Sequence, residues 1–425
     1  MRIAVWHNLP SGGGKRALYD HVRGLLERGH AVEAWCPPTA DQEYLPLGRL
    51  VTEHVIPFEW QQPPARLPHS RLLWQYRQPL AMMRGMDEHC RRCAAEINAG
   101  GFDLLLANPC RLFRTTPIGR YVKGPKALYL QEPARWLYEA MPQLPWVAQP
   151  VPDTLLSATY WKDYLRDFFK VQGLRVQARE ELMNARAYDA ILVNSLFSRE
   201  SVLRSYGLNA RVCYLGVDTE RFVHRQLPRE QFVVGIGAIV PEKNIALVIE
   251  ALGRVPAPRP RLVWVANVAE PSHLEELKRL ASGLDVEAEF KVNVSDEQLI
   301  EILNRGLMMV YAPRLEPFGF APLEANACGM PVVAVAEGGV RETVEHGVNG
   351  LLVRHDAGEM AEAIRLLSED KRYAAELGRN GCRIVREKWS LNSAIDNLER
   401  SLSEVLTRSP ASRPEHELSE RALSR

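Results

Sequence analysis

The chain has 425 residues, 46% hydrophobic and 25% charged, a make-up that fits a globular protein and excludes a disordered or fibrous one. With 53 Lys and Arg against 52 Asp and Glu, the formal net charge is +1, so no overall field marks a nucleic-acid binder. The length predicts two or three domains, two of about 200 residues fitting best, and no apolar run reaches the roughly 18 residues that a membrane span requires.

The opening, MRIAVWHNLP, reads as a first strand rather than a secretory leader. His7 ends that strand, where it is either a ligand contact or a hydrogen-bonded structural histidine. Ser11-Gly12-Gly13-Gly14 follows, then a helical pattern KRALYDHVRGLLERGH. Glycines there let backbone approach a ligand, and the helix start offers free N–H groups to an anion. The stretch is neither a P-loop, since Arg16 stands where Ser or Thr is required and Leu9 where the first Gly is, nor a G-x-G-x-x-G turn. A second strand is predicted at 31–35. Residues 57–86, dense in Pro, Arg and aromatics, read as the least regular part of the first half. Within 66–92, six Arg interleaved with Leu72, Leu73, Trp74, Tyr76, Met82 and Met83 suit either a membrane surface or a solvated face of the first domain. Cys90 and Cys93 form a lone C-x-x-C in a helical pattern and read as two helix cysteines rather than a zinc or redox site. The seven cysteines, an odd number scattered along the chain, predict reduced thiols and a cytoplasmic protein.

Further strands are predicted at 103–107, 126–130, 189–193 and 211–215, and an aromatic-rich stretch at 154–171 reads as an acceptor-side insertion or as core. After strand 126–130 come Gln131, Glu132 and Pro133, and Pro133 biases Glu132 to an extended backbone. A polar stretch with Gly and Pro, 216–230, reads as a linker. A second series of strands follows at 231–237, 261–266, 307–312 and 331–335. Near-continuous apolar strands alternating with helices predict an α/β protein of two doubly wound, Rossmann-like domains, 1–215 and 231–387, facing a cleft. Residues 388–407 read as a helix, with Ser390 as N-cap, that packs back on the first domain; 408–425 read as a disordered tail.

The densest stretch is YAPRLEPFGFAPLEANACGMPVVAVAEGGVRETVEHGVNGLLV, 311–353. A strand ends near Pro313, Glu316 sits in the following loop with Phe318 and Gly319, and 322–328 begin a helix that carries Glu324. A loop at the C-terminal end of a parallel strand that leads into a helix is where open α/β sheets bind ligands. A carboxylate there can accept hydrogen bonds from vicinal hydroxyls, and the helix start can take a pyrophosphate.

E-P-F-G-F-A-P-L-E resembles the E-x7-E motif of family 4 retaining glycosyltransferases, which share the two-domain GT-B fold. Four further segments resemble that family in order: the glycine loop and first helix, VNSLFSRESVLRSYGL with YLGVDTERF, GAIVPEKNIALVIEAL, and EGGVRETVEHGVNGLLV. The resemblance implies a transferase that moves a sugar from a nucleotide-diphosphate sugar to an acceptor hydroxyl, on a glycan, a lipid-linked molecule or a small molecule, with retention of configuration. It implies that Glu324 binds the ribose, Glu316 the transferred sugar near its reacting carbon, and Lys243 the diphosphate. The backbone of Phe318 and Gly319 would face sugar or phosphates, Gly237 would lie at the strand end beside them, and Gly13 and Gly14 would approach the diphosphate or acceptor. Gln131 stands where the family commonly has a His, and with Glu132 and His7 it marks the sugar or acceptor side. Gly237 is followed by Ala238 where the family has an Arg, leaving one phosphate-neutralising charge to come from elsewhere, with Arg314 as one candidate.

No D-x-D triplet occurs, so neither a metal nor another cofactor is expected, and lysine with helix N-termini would stabilise the leaving diphosphate. The expected partners are the donor, a glycan or lipid-linked acceptor and, through 66–92, the inner face of a membrane. Two rival readings remain: an epimerase or phosphorylase of similar fold, and a non-catalytic nucleotide-sugar-binding partner.

Overall fold

The computed structural model describes residues 1–60, 70–140, 143–148 and 157–407, with the side chains of 70–75 left aside. The expected tail, 408–425, the start of 66–92 and residues 154–156 lie outside the described residues. The first domain holds β1 (Arg2–Asn8), β2 (Ala31–Cys36), β3 (Thr52–Val55), β4 (Leu104–Cys110), β5 (Lys126–Tyr129), β6 (Ala190–Val193) and β7 (Arg211–Val212). Its helices are α1 (Gly13–Glu27), α2 (Ser70–Ala99), α3 (Arg135–Tyr138), α4 (Ala158–Ala185) and α5 (Leu196–Tyr206). The second domain holds β8 (Glu230–Ile236), β9 (Arg261–Ala266), β10 (Ala288–Val292), β11 (Gly306–Tyr311), β12 (Val332–Val335) and β13 (Gly350–Val353). With them run α6 (Ile245–Arg254), α7 (Pro271–Gly283), α8 (Asp296–Arg305), α9 (Phe320–Ala327), α10 (Val340–Thr343), α11 (Ala357–Glu369) and α12 (Lys371–Lys388). The last helix, α13 (Leu391–Thr407), returns to the first domain.

Both sheets are parallel throughout, in the orders β3-β2-β1-β4-β5-β6-β7 and β10-β9-β8-β11-β12-β13. Central strands such as Leu104–Cys110 and Val332–Val335 are buried at every residue, because helices cover both faces. That is why their sequence runs are apolar without alternation. Three of the four edge strands, β3, β10 and β13, escaped the sequence reading. β3 and β10 carry charged or polar residues at mixed positions, as edges with less cover do, and β13 has four residues.

Residues 57–86, read as irregular, include the whole first half of the 30-residue α2. Pro79 lies inside that helix, and it and the scattered Arg obscure the helical period. Cys90 and Cys93 are both buried in α2, near Thr116 and His89, with burial raising their thiol pKa values. The domains join at two chain crossings stitched to each other. The Val217 N–H donates to Trp389 C=O at 2.8 Å and the Leu391 N–H donates to Val217 C=O at 2.9 Å. Ser390 Oγ accepts from the Ser393 N–H at 3.3 Å and caps α13. Among the described residues no helix is long and apolar enough to cross a membrane.

Candidate active site

Each sheet reverses its winding once, between β1 and β4 in the first and between β8 and β11 in the second. Loops at the C-terminal ends of strands beside such a reversal form a crevice. The segments singled out from sequence sit there: the glycine loop after β1, Gly237–Lys243 after β8, and Glu316–Gly319 after β11. Contacts run between the two sets, since Asn267 Nδ2 donates to Ser11 Oγ at 2.8 Å and Arg135 Nη2 donates to the Arg314 carbonyl at 2.7 Å.

On the second domain, Lys243 lays its stem over Gly237, where an added Cβ would meet the lysine Cδ at 3.2 Å. Lys243 Nζ donates to Glu316 Oε2 at 2.6 Å. The loop holding Glu316 is pressed against Gly338 and Gly339. A Cβ at Gly338, whose φ is +62°, would lie 2.2 Å from the Glu316 carbonyl oxygen, so only glycine fits. The Gly339 N–H donates to that same oxygen at 2.8 Å. Gly319, at φ +94°, turns the chain into α9, two residues earlier than the sequence reading placed the helix start. Phe318 is buried with edge contacts to Phe320 and Trp389, so its side chain serves the core and only its backbone faces the loop. Glu324, 3% exposed, lies in the second turn of α9. Arg314 is engaged by Glu337 at 3.2 Å.

On the first domain, Gly13 opens α1 against Phe320, the first residue of α9: a Cβ there would meet the phenyl ring at 3.7 Å. Gln131 packs on Gly14, its Nε2 donating to the Gly14 carbonyl at 3.4 Å. Glu132 pairs with Arg114 at 2.8 Å and Arg135 at 3.7 Å, and burial raises its carboxyl pKa against the pull of those two cations. His7 is not at the cleft surface. It is fully buried, its Nε2 hydrogen-bonds Glu53 at 3.0 Å, and burial lowers its pKa. Among the described residues, His7, Cys36 and Glu53 are the one grouping of metal-ligand atoms, within 4.8 Å of one another. They already bond one another, and the buried Lys15 beside them adds a positive charge that opposes a cation.

Two residues of the cleft went unread in the sequence. Arg16 crosses to Glu324, and its guanidinium is held from behind by Tyr44 Oη, which accepts from Nε at 3.1 Å and Nη2 at 2.9 Å. Glu342, on α10, accepts from the Leu196 and Phe197 N–H groups at 2.9 and 3.0 Å and from Tyr214 Oη at 2.9 Å. It thus caps α5 of the other domain. The local signal for Arg16 was a cation in a helix's first turn with no acid beside it.

Residues 217–383 match the family described as glycosyl transferases group 1. The chain is 29% identical over 245 residues to the human alpha-1,3/1,6-mannosyltransferase ALG2, covering 51% of this chain and 59% of that protein. It is 33% identical over 243 residues to a D-inositol 3-phosphate glycosyltransferase of Geodermatophilus obscurus, covering 52% and 53%. The chain therefore spans just over half the length of these curated relatives. Among solved structures, Anabaena HepE in complex with UDP and glucose superposes with a TM-score of 0.67 at 18% identity, covering 95% of this chain and 99% of that one. The fold is the two-domain GT-B fold.

Proposed function

We propose, on the premise that residues 217–383 belong to the group 1 glycosyl transferases, that this chain transfers a sugar from a nucleotide-diphosphate sugar to an acceptor hydroxyl with retention of configuration. One observation carries the reading. Lys243, Glu316 and Glu324 gather on two adjacent loop–helix units of the second domain, against the glycine loop of the first. In this reading Glu324 accepts from the ribose hydroxyls, and the N-termini of α1 and α9 with Lys243 hold the diphosphate and offset the charge it gains as the glycosidic bond breaks. Glu316, already bonded to Lys243, contacts the transferred sugar, and Gln131 and Glu132 read that sugar or the acceptor. In this reading no metal is needed, since Lys243 and the helix ends do the neutralising.

The acceptor side is the first domain. A cavity of ≈ 530 Å³ between α2 and α4 is lined by Met83 and Phe113 and by arginines that are paired with acids, Arg91 with Asp87 and Arg120 and Arg179 with Glu180. On α4, Trp161, Tyr164, Leu165 and Phe168 recur at helical spacing and stand 44–49% exposed. This apolar face, bordered by charges of both signs, supports a lipid-linked acceptor and contact with a membrane's inner face, reached through α4 as well as 66–92.

Calorimetry with UDP, GDP and ADP tests the donor site. One of them binds the wild type, and Glu324→Ala weakens it by about 1–3 kcal/mol, the scale of lost charged hydrogen bonds. Affinity unchanged in a folded Glu324→Ala variant removes the ribose role. Sugar transfer that survives excess chelator, with a retained anomer by NMR, supports the reaction; transfer lost to chelator and restored by magnesium or manganese overturns the metal-free chemistry.

A further inference from the structure

The helix that opens the cleft on the first domain breaks a local rule. α1 has no acid in its first turn, and Lys15 and Arg16 stand there instead. The N-terminus of a helix is its positive end, so two cations there repel it and each other unless an anion joins them. Such conflicts concentrate at functional sites.

The two side chains take different directions. Lys15 turns inward, fully buried beside Glu53 and Cys36. Arg16 points into the cleft, and its position is built. Tyr44 Oη accepts from both Nε and Nη2. Tyr44 is in turn fixed by Asp41, whose Oδ1 accepts from the Glu43 and Tyr44 N–H groups at 3.1 and 2.7 Å. That leaves Nη1 aimed at Glu324 on α9. Burial works against the Arg16 charge, and Glu324 with Tyr44 outweighs it, so the group stays cationic.

Charge accounting in the cleft favours the same conclusion. Lys243 is neutralised by Glu316, and Arg314, on the far side of that loop, by Glu337. A diphosphate entering between the starts of α1 and α9 meets, from the second domain, a lysine that Glu316 already neutralises. Arg16 rests on the carboxylate that the preceding reading gives to the ribose. Ribose hydroxyls that donate to Glu324 compete with the guanidinium for its oxygens, and a diphosphate beside the start of α1 offers that guanidinium a second anion within the same cleft.

We propose that Arg16 is the second diphosphate-binding cation of this chain, delivered by the first domain, with Tyr44 as its positioning residue. The proposal rests on the donor reading above and names its ligand class: a nucleoside diphosphate, distinguished from the nucleoside by a guanidinium on the opposite wall. Because the cation comes from one domain and the ribose contact from the other, the same ligand bridges the two walls that Arg16 and Glu324 otherwise join directly.

The test is calorimetry on the full chain with UDP, GDP and ADP, each beside its own nucleoside at millimolar concentration. Wild type, Arg16→Gln, Arg16→Lys and Tyr44→Phe are compared, with melting curves to confirm folding. For whichever base binds, Arg16→Gln weakens the diphosphate at least tenfold and the nucleoside less than twofold. Arg16→Lys recovers part of the loss, and Tyr44→Phe falls between wild type and Arg16→Gln. A loss under threefold for the diphosphate, or the same loss or gain for nucleoside and diphosphate alike, overturns the proposal, the second result making Arg16 a plug over Glu324. Failure of all three diphosphates to bind the wild type overturns the donor reading itself, and the proposal with it.

Discussion

His21 lies on the inner face of α1 with Leu18, Val22 and Leu25, edge-on to the Tyr129 ring at 4.8 Å, and neither of its ring nitrogens has a hydrogen-bond partner. Burial alone pushes its pKa down to about 4 from 6.5. A depressed value means that the folded state holds the neutral ring, so its share of stability is present above pH 6.5 and is lost as pH falls toward 4. For a fully buried group that share is about 3 kcal/mol. His89, pushed to about 4 by burial in α2, acts in the same direction. His21→Phe keeps the ring contact and removes the titration, so its urea midpoint at pH 5 exceeds that of the wild type and the two converge less steeply toward neutral pH. An unchanged slope between pH 6.5 and 4.5 would place the proton uptake elsewhere. At this scale, the sequence exposed what is local. Glu316, Glu324 and Lys243 were picked out because the strand–loop–helix segments that carry them resemble those of a known family, and the fold brings those segments to one cleft. Arg16 was not, because its meaning comes from Glu324, 308 positions away. His7 had two readings, ligand contact or structural histidine, because a residue at a strand's C-terminal end can point either to the crevice or along the sheet; it is hydrogen-bonded to Glu53 on β3, two strands away.

Helix α13 buries Ala394, Ile395, Leu398, Leu402 and Val405 at helical spacing, and its near end rests on α1. The approach is so close that a Cβ at Gly24 would meet Ile395 Cγ1 at 2.5 Å. Salt bridges flank the contact, from Arg28 to Asp396 and from His30 to Glu399. Gly24→Val must therefore push the helices apart, at a cost of about 1–3 kcal/mol. Gly24→Val with Ile395→Ala should recover part of that cost, and a double variant no more stable than the sum of its parts would deny the contact. The amphipathic pattern of α13 was readable because one face alone is buried; the long α2 was not, with Pro79 interrupting it. The edge strands β3 and β10 failed for the complementary reason, since a strand with one neighbour keeps polar residues that mask its period.

Across the whole molecule, the closed cleft is held by contacts at its rim. Glu342 is the most connected of them, since one carboxylate takes two backbone donors and a phenol from the other domain. Glu342→Ala leaves the start of α5 uncapped and the rim untied. Small-angle scattering without ligand then gives a larger radius of gyration than the wild type, and a saturating nucleoside diphosphate reduces the difference; equal radii would show the rim to be indifferent to this residue. The hinge pair at Val217 and Trp389–Leu391 stays intact in that variant, so the domains tilt but do not part. That pairing also sets a timetable for synthesis. The ribosome releases the strands of the first domain early, yet the helix that covers its α1 comes last, after the second domain is complete. Until residues 391–407 emerge, a glycine-floored groove on α1 stands open. A chain cut short before them presents that groove to α13 of an intact neighbour, and a one-way loan of that helix, which bares the α1 of the lender in turn, follows as its characteristic misassembly.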